Sequence, residues 1–260
     1  MIFIFASNFT MNIDFITIFC FVDDFSKGFF PYWKKKLLQH DTKKRHRPGK
    51  LNLSEIITIL IGFHTAHFDC FKSYYKHILL NHSRDFDSMP CYERFTAIIK
   101  KVFPILCYIL KALEGRITSL SFIDSTCLPV CKNIRIRRHK TFKMTAGRGK
   151  TSVDWFFGFK LHIVINEFGE IISLMITSGN INDRWPVHIL AKKLSGILIG
   201  DRGYISTKLT EELKQKGITL LTRVKKNMKK SLTDEEEKLM KKRSIIETIF
   251  GKRMRRRSQN

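Results

Sequence analysis

The segment SLSFIDST, from Ser119 to Thr126, carries an apolar run that leads directly into Asp124. Short apolar runs bounded by polar residues are typical of buried β-strands. The same arrangement recurs in GILIGD, where the apolar residues lead directly into Asp201. The two segments therefore predict buried strands that each deliver a carboxylate at the carboxyl end.

The segments around these strands predict a mixed α/β sheet. Two strands meet across a turn at Asn166–Gly169, which is a hairpin pattern. Further elements are a helix with Asp183 as its cap, a helix capped by Ser206 or Thr207, a strand, and a charged helix over 234–251. This order predicts an antiparallel meander joined to βαβ crossovers. The first and fourth strands can then lie adjacent and parallel, with both aspartates at one edge.

The first part of the chain has a helical pattern throughout. Residues 12–30 place apolar side chains at helical spacing, and a basic segment over 34–50 follows them. Ser54 precedes another apolar helical pattern and is predicted to cap it. Two amphipathic helices come next, the second predicted to bend at Pro104. This part of the chain is therefore predicted to be all-helical.

The charge of the chain indicates a polyanionic partner. Its 260 residues include 47 Lys and Arg against 23 Asp and Glu, a formal net charge of +24. Nucleic acid is the favoured partner, and a solubility effect or a biased genome composition is the alternative. Residues 132–150 contain eight Lys and Arg and no acid, and this predicts either DNA contacts or a solvated loop.

Cysteine and hydropathy patterns indicate a cytosolic protein. The six Cys residues lack the spacing of a secreted disulfide framework, and most lie in apolar runs, which predicts buried, reduced thiols. The Phe-rich first thirty residues have no basic segment before them, so they are not a typical signal peptide. Asp14, Asp23 and Asp24 interrupt this apolar stretch, which argues against a membrane span.

A third acid, Glu247, lies in the helical pattern KKRSIIETIF. Two carboxylates at adjacent strand ends and one on a covering helix can hold two Mg²⁺ or Mn²⁺ ions, which prefer oxygen ligands. Taken singly, Asp124 and Asp201 can instead form turns, and Glu247 can face solvent or pair with Arg243. The joint placement of the three acids indicates a metal-dependent site that acts on nucleic acid.

Six motifs together point to one family: FIDST, HKTFK, RGKTSVDWFFGFKLH, TSGNINDR, GDRGYIS and KKRSIIETIF. With them, the stretch from Asp14 to Phe250 resembles bacterial insertion-sequence transposases of the DDE type, which have a ribonuclease-H-like catalytic core. The resemblance implies that Asp124, Asp201 and Glu247 are the catalytic acids and hold Mg²⁺ or Mn²⁺, as two ions, for DNA strand cleavage and transfer.

The resemblance also implies an organisation and a set of partners. It implies a helical DNA-binding region over 1–115, a catalytic ribonuclease-H-like domain over 116–251 and a basic tail over 252–260. The partner is double-stranded DNA, as inverted-repeat ends and as target, bound by a homodimer in the bacterial cytoplasm, at the nucleoid and away from membranes. The candidate DNA-contacting residues are Arg135, Arg137, Arg138, Lys140, Lys143, Arg148, Lys150, Lys160, Arg202 and Arg243.

Three neighbouring aromatic residues and two signature positions complete the expectations. Trp155, Phe156 and Phe157 are predicted to be core residues. Lys160 is predicted either to reach the site or to point to solvent.

The family signature has Tyr and Lys where this chain has Met240 and Met254, and the chain ends in GKRMRRRSQN. We therefore expect a truncated or frame-shifted copy. The alternatives to an active transposase are an inactive remnant that only binds nucleic acid and a metal-dependent nuclease.

Overall fold

A computed structural model of the protein describes residues 15–39, 51–66, 68–86, 88–151, 154–223 and 233–254. These residues form two compact units, a helical unit that ends at Ala112 and a second unit that begins at Leu113. Most of the predicted basic segment and most of the predicted basic tail, residues 40–50 and 255–260, lie outside the described residues. None of the helices in the described ranges is long and apolar enough to cross a membrane.

The helical unit consists of α1 (Phe15–Gln39), α2 (Leu53–Thr65), α3 (Phe71–Asn81) and α4 (Tyr92–Ala112), with a short 3₁₀ turn at Ser83–Asp85. The first helix is longer than predicted and extends into the basic segment. The fourth is assigned as one continuous helix through Pro104. This unit has an aromatic core, in which Tyr74 donates a hydrogen bond to the Ile59 carbonyl and Tyr75 to the Pro90 carbonyl, at 3.0 and 2.8 Å.

The predicted cap of α2 is wrong by two residues. Asn52 is the cap, because its side chain accepts a hydrogen bond from the Glu55 N–H while the Glu55 carboxylate accepts one from the Asn52 N–H. This reciprocal pair satisfies two backbone donors at once. Ser54 is buried inside the helix and donates to the Asp23 carboxylate at 3.0 Å.

The second unit is built on one sheet. Its strands are β1 (Leu120–Cys131), β2 (Gly147–Lys150), β3 (Trp155–Asn166), β4 (Ile171–Ser178), β5 (Gly196–Gly200) and β6 (Ile218–Thr222). Its helices are α5 (Val187–Leu190), α6 (Thr207–Gln215), α7 (Asp234–Lys241) and α8 (Ser244–Met254), with 3₁₀ helices at Asn133–Arg138 and Arg202–Tyr204.

The pairing of the strands confirms the predicted mixed sheet. Antiparallel pairs join β1 to β3 and β3 to β4, and parallel pairs join β1 to β5 and β5 to β6. The hairpin turn between β3 and β4 contains Gly169 at φ +81°, a conformation that favours glycine. The fold class is therefore the ribonuclease-H-like α/β class that the sequence predicted, and its first and fourth predicted strands are adjacent and parallel.

The two faces of the sheet carry separate cores. Ile123 and Val164 pack with residues of α5 and α6 on one face. Phe122 and Ile163 pack on the other face with Met240 of α7 and with residues of α8. Because successive strand residues point to opposite faces, Asp124 shares the face of Phe122 and is directed toward α7 and α8.

Four predictions of local structure and burial are wrong, and the first three lie in this unit. Asp124 is not at a strand end, because β1 continues along β3 as far as Cys131. Asp183 caps no helix, because the helix that follows is the single turn α5, with Pro186 in the cap position. The charged helix over 234–251 is two helices, which meet around Arg243.

The fourth correction concerns burial. Cys20, Cys70, Cys91 and Cys107 are exposed and Cys127 and Cys131 half-buried, so the predicted burial of the thiols is wrong. Phe156 and Phe157 are buried as predicted, but Trp155 is 45% exposed. The cysteines lie within amphipathic helices, directly before helices or in β1, and an apolar run alone does not reveal which side chains are covered.

Candidate functional site

Arg243 joins the three predicted acids in one cluster. Its Nη2 lies 3.3 Å from Asp124 Oδ2, and its Nη1 lies 3.6 Å from Asp201 Oδ1 and 3.1 Å from Glu247 Oε1. The contact with Glu247 is a hydrogen bond with the guanidinium donating. A single guanidinium therefore contacts three carboxylates from two strands and a helix, and the predicted convergence of these acids is observed.

Each acid reaches the cluster from a different backbone context. Asp124 is held within β1 between pairing partners on β3, two residues beyond Phe122, where the parallel pairing with β5 ends. Asp201 follows the last residue of β5 directly, and its carbonyl accepts a hydrogen bond from the Tyr204 N–H at 3.0 Å. Glu247 lies one turn beyond Arg243, in α8. The strands β1 and β5 separate at this point, and the acids lie where they part.

The four side chains of the cluster differ in their exposure to solvent. The Arg243 side chain is 7% exposed and that of Asp124 21%, whereas those of Asp201 and Glu247 are 50% and 57% exposed. Burial raises the pKa of the Asp124 carboxyl, and the nearby Arg243 guanidinium and the Ser125 N–H oppose that rise. The other two acids raise the pKa of Asp124 further. Two carboxylates of the cluster are thus open to a ligand from solvent.

The donor set suits a divalent metal in its chemistry. Three carboxylates supply hard oxygen atoms, the ligands that Mg²⁺ and Mn²⁺ prefer. Arg243 acts as a stand-in cation among them and carries a single positive charge against three carboxyl groups. In the described part of the chain, no group of three or more His, Cys, Asp or Glu side chains is placed so that it could hold a metal ion.

The opposite face of the sheet carries a second polar cluster, which the sequence did not predict. Lys160 pairs with Asp183 at 3.0 Å and donates to the Ile181 carbonyl at 2.9 Å. His162 is fully buried and shares a 2.8 Å hydrogen bond with Thr177, and burial lowers the pKa of its imidazole. Lys160 therefore neither reaches the three acids nor points into solvent.

Tyr204 lies on this second face, beneath the turn that carries Asp201. It is 2% exposed and packs with the core residues of that face. Burial raises the pKa of its phenol, and the nearby carboxylates of Asp124 and Asp183 raise it further. The residue supports the turn after β5 from below. Its signal in the sequence was the motif GDRGYIS, in which only the aspartate was assigned a role.

The basic segment over 132–150 is folded against the sheet. It contains the 3₁₀ helix Asn133–Arg138 and the strand β2, and Asn133 donates a hydrogen bond to the Trp155 carbonyl at 2.7 Å. Phe142 contacts Phe159 edge-on at 5.4 Å. The candidate DNA-contacting residues of this segment are all exposed: Arg135, Arg137, Arg138, Lys140, Lys143, Arg148 and Lys150.

The remaining candidates lie in two different settings. Arg202 is exposed on the turn that follows Asp201. Arg243 is buried among the acids, and its Nε has no hydrogen-bond partner among the described residues. A DNA contact by Arg243 therefore stays a prediction, and in the structure its partners are carboxylates.

A family model described as a transposase DDE domain matches residues 114–259, just over half of the 260-residue chain. The matched region contains all three acids and Arg243. It begins within two residues of the first residue of the second unit, Leu113. No curated protein matches the chain.

Several solved transposase structures share distant similarity with the chain. The piggyBac transposase synaptic complex with hairpin DNA has 14% sequence identity and a TM-score of 0.41, over 77% of this chain and 48% of that protein. The Mos1 mariner paired-end complex with Mn has 13% identity and a TM-score of 0.25, over 77% and 67%. The Mos1 strand transfer complex has 11% identity and a TM-score of 0.25, over 78% and 68%. The chain thus spans about half the length of the piggyBac transposase.

Proposed function

The chain belongs to the DDE transposase family, and from that premise we propose that it is a DNA transposase acting on the ends of its own insertion sequence. It binds the terminal inverted repeats in double-stranded DNA of a bacterial nucleoid, cleaves the strands and joins them to target DNA. The observation that carries the proposal is the contact of Asp124, Asp201 and Glu247 with one guanidinium.

The three acids are the proposed metal ligands. Their convergence supports this role, because carboxylates rarely gather at one point without a cation between them. A bound pair of Mg²⁺ or Mn²⁺ ions would supply Lewis-acid activation of phosphodiester cleavage and transfer. Asp201 and Glu247, with about half of each side chain exposed, are the acids that a ligand from solvent meets first.

Arg243 has two proposed roles in succession. Without metal it compensates the charge of the three acids, which keeps them together. With metal bound, Arg243 would no longer be needed for this compensation, and its guanidinium would be free to contact a phosphate of the DNA backbone. Arginine suits both tasks, because its planar fork of donors binds carboxylate and phosphate in the same geometry.

The rest of the chain supplies a surface for the phosphate backbone. The exposed Lys and Arg of residues 132–150 and Arg202 belong to the same compact unit as the acids. Contacts of this kind position DNA without reading its sequence. We assign recognition of the inverted-repeat ends to the helical unit that ends at Ala112 and propose that two copies of the chain bind a pair of ends.

The proposal is tested by incubating the purified chain with duplex DNA that carries the ends of its element, with Mg²⁺, with Mn²⁺ or with EDTA. We expect metal-dependent strand cleavage at the element ends. Asp124→Asn and Asp201→Asn should each abolish cleavage and leave the affinity for the ends within about twofold, because the acids serve the metal and basic residues serve the phosphates. Cleavage by either variant near the wild-type rate would overturn the assignment of the site.

A remnant that binds DNA without cleaving it is the second candidate. The position of Arg243 among the acids favours it, because a guanidinium lies at the point where the three carboxylates converge. In that case, the wild-type chain binds the ends in EDTA and in Mn²⁺ alike and yields no cut product. The same incubation therefore separates the two functions.

A further inference from the structure

A basic cavity of about 410 Å³ lies beside the turn that carries Asp201. One of its lining residues, Gly203, follows Asp201 by two positions, so their Cα atoms are at most about 7 Å apart. The cavity is formed by β2, the start of β3 and the segment after β4. Its polar and aromatic lining side chains include Arg148, Lys150, Trp155, Asn180, Asn182 and Arg184.

The cavity is positively charged after its internal ion pair is taken into account. Lys160 and Asp183 also line it, and they neutralise each other at 3.0 Å. Arg148, Lys150 and Arg184 remain as cations. Arg184 is fixed at its place, because its Nε donates a hydrogen bond to the Gly203 carbonyl at 3.0 Å. The cavity therefore attracts an anion to a place beside the turn that carries Asp201.

Trp155 gives the cavity an aromatic surface. Its indole is 45% exposed, whereas the side chains of Phe156 and Phe157 beside it are buried. The Arg148 guanidinium lies 4.9 Å from the ring centroid and the Lys150 ammonium 5.7 Å. An exposed aromatic ring flanked by cations is the arrangement that holds a nucleobase by stacking and its phosphate by charge.

The wall of the cavity is closely packed backbone. The main chains at Gly149 and Gly179 approach so closely that a Cβ on Gly149 would overlap the Gly179 carbonyl. The Asn182 side chain accepts a hydrogen bond from the Arg184 N–H at 3.0 Å, which shapes the loop on the same side. The shape of the cavity is therefore set by backbone contacts, and at Gly149 these leave no room for a larger side chain.

We propose that this cavity binds one unpaired nucleotide of the DNA strand, with its base stacked on Trp155 and its phosphate on Arg148, Lys150 and Arg184. The inference rests on the proposed function and adds a substrate feature to it, namely an unpaired nucleotide in the bound DNA. A paired base is stacked on both faces within the duplex and cannot cover the indole. The volume of about 410 Å³ suits a ligand of nucleotide size.

The test compares two DNA ligands of the same length and sequence, a fully paired duplex and a duplex with a short single-stranded gap. Binding is measured by fluorescence anisotropy in EDTA, so that no cleavage intervenes. The variants are Trp155→Ala, Trp155→Phe and Trp185→Ala. Trp185 is a matched control, because it is 54% exposed and does not line the cavity.

We expect Trp155→Ala to lose about tenfold in affinity for the gapped DNA, in line with the loss of one base–aromatic stack, and less than about twofold for the paired duplex. Trp155→Phe keeps an aromatic face and should stay within about threefold of wild type on both ligands. Trp185→Ala should match wild type. Arg184→Gln offers a second measurement, because it should weaken gapped-DNA binding and lower its salt slope by about one phosphate.

Equal losses on gapped and paired DNA would overturn the inference, because the cavity would then contact duplex phosphates only. So would an unchanged affinity of Trp155→Ala for gapped DNA. Failure of the wild-type chain to bind either DNA would count against the proposed function and the inference together. Normal binding with no cleavage in Mn²⁺ would count against the transposase activity alone.

Discussion

Arg243 Nη2 lies 3.3 Å from Asp124 Oδ2, so the least exposed cation of the site contacts its least exposed acid. The two other acids contact the same guanidinium through its Nη1, with about half of each side chain exposed to solvent. The contact between Arg243 and Asp124 therefore holds the compensating charge on the buried side of the site. The exposed side is where a divalent metal can compete with the guanidinium for the carboxylates.

Replacement of Arg243 should lower the stability of the protein and raise its affinity for metal. Arg243→Gln leaves three carboxylates without their cation, and we expect it to lower the free energy of unfolding in EDTA by about 1–3 kcal/mol, between the values for exposed and buried pairs. Mn²⁺ should then raise the thermal midpoint of the variant more than that of wild type, since the metal no longer competes with a guanidinium. Thermal melts with and without Mn²⁺ measure both effects.

Arg135→Gln is the control for this comparison, because Arg135 is exposed and lies outside the acid cluster. It should melt like wild type in EDTA and in Mn²⁺. A smaller Mn²⁺ response in Arg243→Gln than in wild type would contradict the competition between guanidinium and metal.

The raised pKa of Asp124 predicts a pH-dependent cost of keeping this acid ionised. Because its pKa is higher in the folded than in the unfolded protein, the folded state binds the proton more tightly, and stability falls as pH rises from the unfolded pKa through the folded pKa. Asp124→Asn removes this ionisation. We expect the variant in EDTA to be more stable than wild type near neutral pH, and this advantage to disappear below the unfolded pKa. Denaturant unfolding over a pH series measures it.

Asp154→Asn serves as the control, because Asp154 lies outside the cluster and is exposed. Its stability difference from wild type should show no comparable rise across the same pH range. A destabilised Asp124→Asn at neutral pH would mean that attraction by Arg243 outweighs the burial of the carboxylate.

Lys160 should act on stability rather than on DNA. Lys160→Met leaves the half-buried Asp183 carboxylate and the Ile181 carbonyl without their donor, and we expect a loss of about 1–3 kcal/mol in unfolding free energy. Lys193→Met is the matched control, since Lys193 pairs with Glu114 at 3.2 Å but is 60% exposed; its loss should stay within about 1 kcal/mol. Urea unfolding gives both values.

The same pair of variants also addresses the predicted DNA contact of Lys160. The salt slope of duplex binding should be the same for Lys160→Met and wild type, because the ammonium is held by an acid and a carbonyl. A slope reduced by about one phosphate would assign Lys160 to the DNA surface instead.

Duplex affinity should fall steeply with salt. If the chain neutralises about six phosphates, the logarithm of the binding constant falls with a slope of about −5 against the logarithm of salt concentration. Replacing Arg135, Arg137 and Arg138 by Gln should reduce the steepness by about three, because these side chains are exposed on one short helix. Anisotropy titrations at several salt concentrations measure the slope, and a slope near zero for wild type would remove the basis for a phosphate surface.

Features that depend on the local sequence pattern were predicted correctly. Predictions were wrong where the structure of a segment depends on residues far away in sequence. The start of β1 and the whole of β5 were predictable because their apolar runs are short and largely buried. The continuation of β1 to Cys131 was not, since Pro129 within it argues against a strand, and the pairing register indeed shifts there. The hairpin at Gly169 was predictable from turn chemistry alone.

The charged residues of the site also include features that the sequence predicted and features that it did not. The convergence of Asp124 and Asp201 followed from the order of strands, but the burial of Arg243 did not, because a residue preceded by two lysines reads as part of a solvated face. Its burial depends on acids that come from two strands far away in sequence. The prediction for Trp155 was wrong for a related reason, since the pairing of β2 with β3 places the half-exposed indole beside two cations of β2.

The pairing of β1 with β3 on both sides of Asp124 has a consequence for the tolerance of this chain to insertions and deletions. Because side chains alternate between faces, adding or removing one residue between Phe122 and Asp124 would turn the carboxylate away from Arg243 and into the apolar layer against α5 and α6. Exposed turns away from this stretch of β1, in contrast, can change length without turning the carboxylate. Length variation among copies of this chain should therefore collect in its turns and spare the core of β1.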